Sequence, residues 1–140
     1  MSITEQVLRV HDAIYKRSGG RVGHKALGIP CLLLHTTGRR SGQPRANSLV
    51  YARDGSDYVL VASKGGAENH PAWLFNVRAN PQVEVQVGRD RMKGTARILE
   101  PADPDYARLW KLVNDNNSNR YDGYQQKTSR EIPLVVVSPS

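Results

Sequence analysis

From residue 31 onward the chain is a succession of short apolar runs separated by turn residues. Residues 31–37 form one run and 46–53 a second candidate strand; Asp54-Gly55 supplies a turn, and 57–63 returns as the other arm of a hairpin. Residues 83–87 (Val-Glu-Val-Gln-Val) alternate strictly, as a half-buried strand should, and Gly88-Arg89-Asp90 turns the chain into 92–99. Residues 134–137 are apolar throughout and read as a last strand. Two segments change to helical spacing. Asn69 or His70 is placed to cap a helix that begins at Pro71 and carries Trp73, Leu74 and Val77. Asp103-Pro104 starts another, with Tyr106, Leu109, Trp110 and Val113 on one face, and its end dissolves into the polar stretch 114–119. Near the start, residues 4–17 put Val7, Leu8, His11 and Ile14 near one face of a helix that Gly19-Gly20 ends. Capping the domain's own core is the commoner use of such a helix, and lying on a membrane the other.

Hairpin strands with short turns imply an antiparallel sheet that closes on itself with helices packed outside, a mainly β, α+β barrel. Strands and helices do not alternate regularly and no G-x-G-x-x-G occurs, so a doubly wound parallel sheet fits poorly. The 140 residues, 39% hydrophobic and 24% charged, suit a single domain over 1–140, without linker or internal repeat. A homodimer is compatible with a domain of this size.

The net charge of +7 narrows the partners to anions: nucleic acid, an acidic membrane surface or a phosphate-bearing coenzyme. Cys31, the single cysteine, lies in an apolar run; it excludes an internal disulfide, suits a reducing compartment and reads as a buried small hydrophobe. No apolar signal core opens the chain and no stretch is long enough to span a bilayer, so the expected location is the cytoplasm, with peripheral membrane contact left open. His11, His24, His35 and His70 lack ligand spacing, and no metal site is expected.

The densest chemical signal is Thr36-Thr37-Gly38-Arg39-Arg40-Ser41-Gly42-Gln43-Pro44-Arg45, a tight connection between two predicted strands. Guanidiniums, hydroxyls and backbone N–H groups that glycine allows to turn inward are the combination a phosphate requires. A solvated basic hairpin tip is the alternative. Ala62-Ser63-Lys64-Gly65-Gly66-Ala67 leaves a strand just before the helix at Pro71, so Ser63 and Lys64 fall beside a helix N-terminus with its partial positive charge. Here the alternative is a glycine turn with an incidental lysine. Tyr121 and Tyr124 are three apart, and either line an apolar pocket with free hydroxyls or pin their segment to the barrel; Trp73 carries the same two readings. Nucleic-acid surfaces interleave basic and aromatic residues, whereas the aromatics here fall away from the arginine turn, so no nucleic-acid partner is expected.

These stretches, with Pro71-Ala72-Trp73, Asn76-Val77-Arg78-Ala79-Asn80-Pro81 and Arg130-Glu131-Ile132-Pro133, resemble the deazaflavin-dependent nitroreductase family of actinobacteria, in order and at the family's spacing. The resemblance implies a split β-barrel like that of FMN-binding oxidases, and coenzyme F-420, an 8-hydroxy-5-deazaflavin. FMN or haem on the same fold is the alternative, and a basic nucleic-acid or anionic-lipid binding module the alternative from another class. It implies that Arg39, Arg40, Ser41 and Arg45 hold the phosphate and acidic tail, that Ser63 and Lys64 lie by the coenzyme, and that Trp73, Tyr121 and Tyr124 surround the substrate side, Trp73 counting with the cofactor-binding residues. The implied reaction is hydride transfer from reduced deazaflavin to a quinone-like or other conjugated, lipophilic acceptor. Tyr124 is the first candidate for a proton donor and Tyr121 the second, with Ser63 orienting either ring. Ser118 and Val50 stand where nitroimidazole-activating members can carry aromatic residues, so nitroimidazole reduction is not implied.

Overall fold

In the computed structural model, which describes residues 25–26 and 29–140, the apolar runs pair into one antiparallel sheet curled into a split β-barrel. The helix expected over 4–17 lies outside the described residues. The strands are β1 (Lys25–Ala26), β2 (Ile29–Thr37), β3 (Pro44–Val50), β4 (Ala52–Asp54), β5 (Asp57–Val61), β6 (Gln82–Val87), β7 (Asp90–Leu99) and β8 (Leu134–Pro139). The helices are α1 (Ala72–Ala79), α2 (Tyr106–Asn116) and α3 (Arg120–Gln126). In the sheet the order is β1-β2-β6-β7-β8-β5-β4, with β3 paired to β2. Register is set by pairs such as Leu34 with Asn47 and Val85, and Val59 with Val136.

The period of the strands distributes the core. Tyr58 and Leu60 of β5 and Val135 and Val137 of β8 join Leu32, Leu34, Val85 and the apolar face of α1 inside the curl. Their neighbours Val59, Val61, Leu134 and Val136 point the other way, against Leu109, Val113, Tyr121 and Ile132 beneath α2 and α3. Both strands are therefore buried on both faces, which is why their sequences run apolar instead of alternating. Each fully buried Leu or Val there contributes roughly 1.5–3 kcal/mol. Gly94 of β7 lies tight against β8: a Cβ there would come within 2.9 Å of the Ser138 carbonyl and of Val137 Cγ1.

Several expected elements are corrected. The candidate strand 46–53 breaks at Tyr51, because β3 pairs with β2 whereas β4 pairs with β5. The corner is held by the Tyr51 N–H donating to Pro30 O (3.1 Å), by Asn116 Nδ2 donating to Tyr51 O (2.9 Å) and by the edge-on contact of Tyr51 with Tyr58. Neither Asn69 nor His70 caps α1; Pro71, extended, occupies that position with no side-chain cap, and the His70 ring is engaged elsewhere. The second helix begins at Tyr106, not at Asp103-Pro104, because the Asp103 carboxylate accepts the Asp105 N–H (2.9 Å) and pairs with Arg97, forming a turn first. The asparagine stretch does not dissolve the chain. Ser118 and Asn119 adopt left-handed conformations that turn α2 into α3, and the buried Asn114 amide donates to Trp110 O (2.8 Å) and accepts the Asp122 N–H (2.9 Å).

Candidate functional site

The arginine turn is a closed, supported loop. Gly38 N–H donates to Gln43 O (2.8 Å) and Gly42 N–H to Gly38 O (2.9 Å). The Ser41 hydroxyl accepts from Gln43 N–H (3.1 Å) and lies 3.4 Å from Arg45 Nη2. A Cβ at Gly38 would stand 2.7 Å from Ser41 Oγ and 3.2 Å from Gln43 O, so a side chain there would displace the Ser41 hydroxyl. From below, Asn76 of α1 accepts the Arg39 N–H (3.0 Å) and donates to Thr36 Oγ1 (3.2 Å), an amide only 7% exposed. Arg39, Arg40 and Arg45 remain solvent-exposed. Elsewhere Arg91 pairs with Glu84, Arg97 with Asp103, Arg108 with Asp54 and Lys111 with Asp115. Among the described residues, no carboxylate pairs with Arg39, Arg40, Arg45 or Lys64. Uncompensated guanidiniums on a backbone already closed by its own bonds suit a phosphate, because little ordering remains to be done on binding.

The second loop is more constrained. Lys64, Gly65 and Gly66 all take positive φ (47°, 64° and 84°). Gly66 lies so close to α3 that a Cβ would come within 2.7 Å of Tyr124 O, and its N–H donates to Ser63 O (3.0 Å). Ser63 is buried at this junction while Lys64 is exposed. The Arg130 guanidinium reaches back to the same loop, donating to Ser63 O (2.7 Å), Ala67 O (2.8 Å) and Ala62 O (3.3 Å), with His70 Nδ1 3.0 Å away. Burial lowers the His70 pKa first, the Arg130 and Arg78 charges adding to it, against Glu100.

The two loops are linked through α1. Phe75 of α1 carries the Arg39 guanidinium over its ring at 4.7 Å and meets His70 edge-on at 5.9 Å, and His70 contacts Arg130. The expectation that aromatics lie away from the arginine turn is thereby corrected: packing α1 against the turn brings Phe75 beneath Arg39. Tyr124, half-buried, sits in the helix that meets the lysine loop, with Lys127 Nζ 5.7 Å from its ring centroid. Tyr121 is 6% exposed, and burial foremost pushes its hydroxyl up to about 12. Trp73, 4% exposed, belongs to the barrel core. Arg39, Arg40, Ser41 and Arg45 thus share one turn, Ser63 and Lys64 share the second loop, on which the Tyr124 backbone packs at Gly66, and Trp73 and Tyr121 are buried in the two separate core clusters. Among the described residues, no three His, Cys, Asp or Glu side chains converge as for a metal.

From the sequence, Asn76, Phe75, His70 and Arg130 carry no assigned site role, although Asn76 and Arg130 stand in the stretches that carry the resemblance and His70 reads as a helix cap. For Asn76 a signal existed: positions 73, 76 and 77 share a helical face, so an amide there must find partners.

The chain matches the model of the F420H(2)-dependent quinone reductase family over residues 7–139. An F420H(2)-dependent quinone reductase of Mycobacterium tuberculosis is 57% identical over 134 residues, covering 95% of this chain and 90% of that protein. The solved structure of an F420-H2 dependent reductase (FDR-A) superposes with a TM-score of 0.70 at 42% identity, covering 78% of this chain and 94% of the other. A further solved structure, described as a domain-swapped dimer, gives a TM-score of 0.72 at 38% identity, covering 98% of this chain and all of its own. With nearly its whole length matched, this chain belongs to the F420H(2)-dependent quinone reductase family.

Proposed function

We propose that this chain transfers a hydride from the reduced deazaflavin coenzyme to a lipophilic, quinone-like acceptor. As a member of its family it is an F420-dependent oxidoreductase. The observation that carries the residue assignment is the pair of cationic loops, without carboxylate partners among the described residues, both linked to α1. Arg39, Arg40, Ser41 and Arg45 hold the coenzyme's phosphate and acidic tail, and Ser63 and Lys64 lie by its ring. The coenzyme, when bound, supplies a hydride from C5 of its deazaflavin ring. The chain positions that ring, excludes water and stabilises the negative charge the acceptor gains. Tyr124 is the donor we assign to this, since it is half-buried on the helix whose backbone packs against the lysine loop at Gly66. Tyr121 serves as a packing partner, its ring edge-on to Tyr124 at 6.1 Å. Trp110, Tyr106 and Leu112, each partly exposed on the same helical layer, offer apolar surface to a lipophilic acceptor. Among the described residues, no helix is long and apolar enough to cross a membrane. A homodimer follows by analogy with the domain-swapped neighbour.

The deciding experiment titrates the purified protein with oxidised deazaflavin coenzyme and with FMN. It then follows loss of absorbance of the reduced coenzyme as a short-chain quinone is added. Deazaflavin binding with quinone-dependent oxidation supports the reading. Tight FMN binding without deazaflavin binding overturns the cofactor, and coenzyme binding without turnover on any quinone overturns the acceptor.

A further inference from the structure

We infer that Arg130 is the positioning residue of the coenzyme site: without facing the coenzyme, it holds residues 63–67 in the conformation that presents Ser63 and Lys64. The inference rests on the proposal that this loop takes the coenzyme. Arginine has five N–H donors. In Arg130, Nε is committed to Ala67 O, Nη1 to Ala62 O and His70 Nδ1, and Nη2 to Ser63 O. Three backbone carbonyls of a single loop thus converge on one planar cation. The loop needs such a restraint. Three successive residues hold positive φ, and for Lys64 the left-handed conformation is unfavourable. Its own backbone bonds are few: Gly66 N–H to Ser63 O at 3.0 Å and Ala67 N–H to Lys64 O at 3.2 Å.

Arg130 is itself held. Gln125 of α3 donates to Arg130 O (2.7 Å) and accepts the Ile132 N–H (3.0 Å), so the segment leading into β8 is pinned to the helix that carries Tyr124. One guanidinium therefore sets the lysine loop relative to α3, and with it Lys64 relative to Tyr124. His70 completes the clamp only while neutral, since an imidazolium cannot accept at Nδ1. The charged groups acting on His70 are Arg130 from the segment before β8, Arg78 from α1 and Glu100 from the end of β7, with the Phe75 ring edge-on.

Arg130→Lys keeps the charge but cannot span three carbonyls. In that variant coenzyme Kd, read by fluorescence titration, is expected to rise about tenfold or more. In the coenzyme-free protein, amide exchange at Gly66 and Ala67 is expected to accelerate while that of β5 and β8 stays unchanged. Lys64→Ala tests the underlying reading separately. Weak binding in Lys64→Ala with wild-type binding in Arg130→Lys overturns the clamp alone. Wild-type binding in Lys64→Ala removes the loop from the site and the inference with it. Should Arg130→Lys not fold, His70→Lys, which sets an ammonium where the acceptor stood, carries the same expectation, and wild-type affinity there overturns the clamp. Finally, wild-type affinity should decline as the pH falls through the depressed value of His70, below the ordinary histidine value of 6.5, and His70→Gln should abolish that decline. An equal decline in His70→Gln removes His70 from the clamp.

Discussion

Asn76→Leu tests how the arginine turn is held. The native amide makes two bonds to the turn, accepting the Arg39 N–H at 3.0 Å and donating to Thr36 Oγ1 at 3.2 Å. Each such bond contributes on the order of 1 kcal/mol net. A leucine of similar size fills the space but leaves both turn groups unpaired. Thr36 is buried, so its hydroxyl bears a desolvation cost of about 1–3 kcal/mol. Arg39 is exposed, and water can reach part of its N–H. The expected loss is therefore about 2–4 kcal/mol by urea denaturation, with a fall in Tm of roughly 10 °C. Thr36→Val closes a double-mutant cycle in which a coupling of about 1 kcal/mol with Asn76 is expected. Because the amide also fixes where the turn's backbone begins, coenzyme affinity should fall in Asn76→Leu even where the protein remains fully folded. A variant within about 0.5 kcal/mol of wild type, or a cycle with no coupling, would refute the idea that α1 braces the turn.

Other expectations follow from the same geometry. Arg40→Ala and Arg45→Ala, both at exposed positions without a carboxylate partner, should each weaken coenzyme binding about tenfold with stability unchanged, and the loss should shrink as salt rises; wild-type affinity in the double variant would remove the turn from the site. Gly66→Ala must place a Cβ 2.7 Å from Tyr124 O at a φ of +84°, and should cost about 1–3 kcal/mol in chemical denaturation, so an unchanged midpoint would contradict the packing of the loop on α3. Tyr124→Phe should lower kcat roughly five-fold or more while coenzyme Kd stays put; equal turnover on several quinones would leave Tyr124 as packing only.

The barrel was readable because its rules are local. Val83, Glu84, Val85, Gln86 and Val87 alternate, and the glycine turns between strands declare themselves. The corner at Tyr51 was hidden, since no glycine or proline marks it. The break arises because the chain leaves β2 as partner and takes up β5, a choice made by tertiary pairing alone. Helix α3 was equally obscure: Arg120–Gln126 has two apolar side chains and a glycine, and depends on Asn114 and on Trp110 Nε1, which donates to Asp122 Oδ1 at 2.7 Å. At the site, Arg39, Arg40, Ser41 and Arg45 could be found because adjacent residues carry the chemistry. Arg130 could not be understood that way, because its partners are backbone carbonyls more than sixty positions earlier, and carbonyls leave no mark on residue identity.

The double-faced burial of β5 and β8 carries a hazard for assembly. Where one face is polar, a one-residue slip exposes the apolar set and is rejected. In β8, Leu134, Val135, Val136 and Val137 would bury equally well after such a slip, so hydrophobicity cannot choose the alignment. Shape must choose it, and Gly94 on β7 leaves the space in which the Ser138 carbonyl and Val137 approach, where a Cβ would come within 2.9 Å of both. Replacing Gly94 with a larger residue should therefore yield shifted or intermolecular pairing before it yields a looser monomer. The same valine-rich strand, if freed from its place between β5 and β7, has the composition that seeds cross-β aggregates.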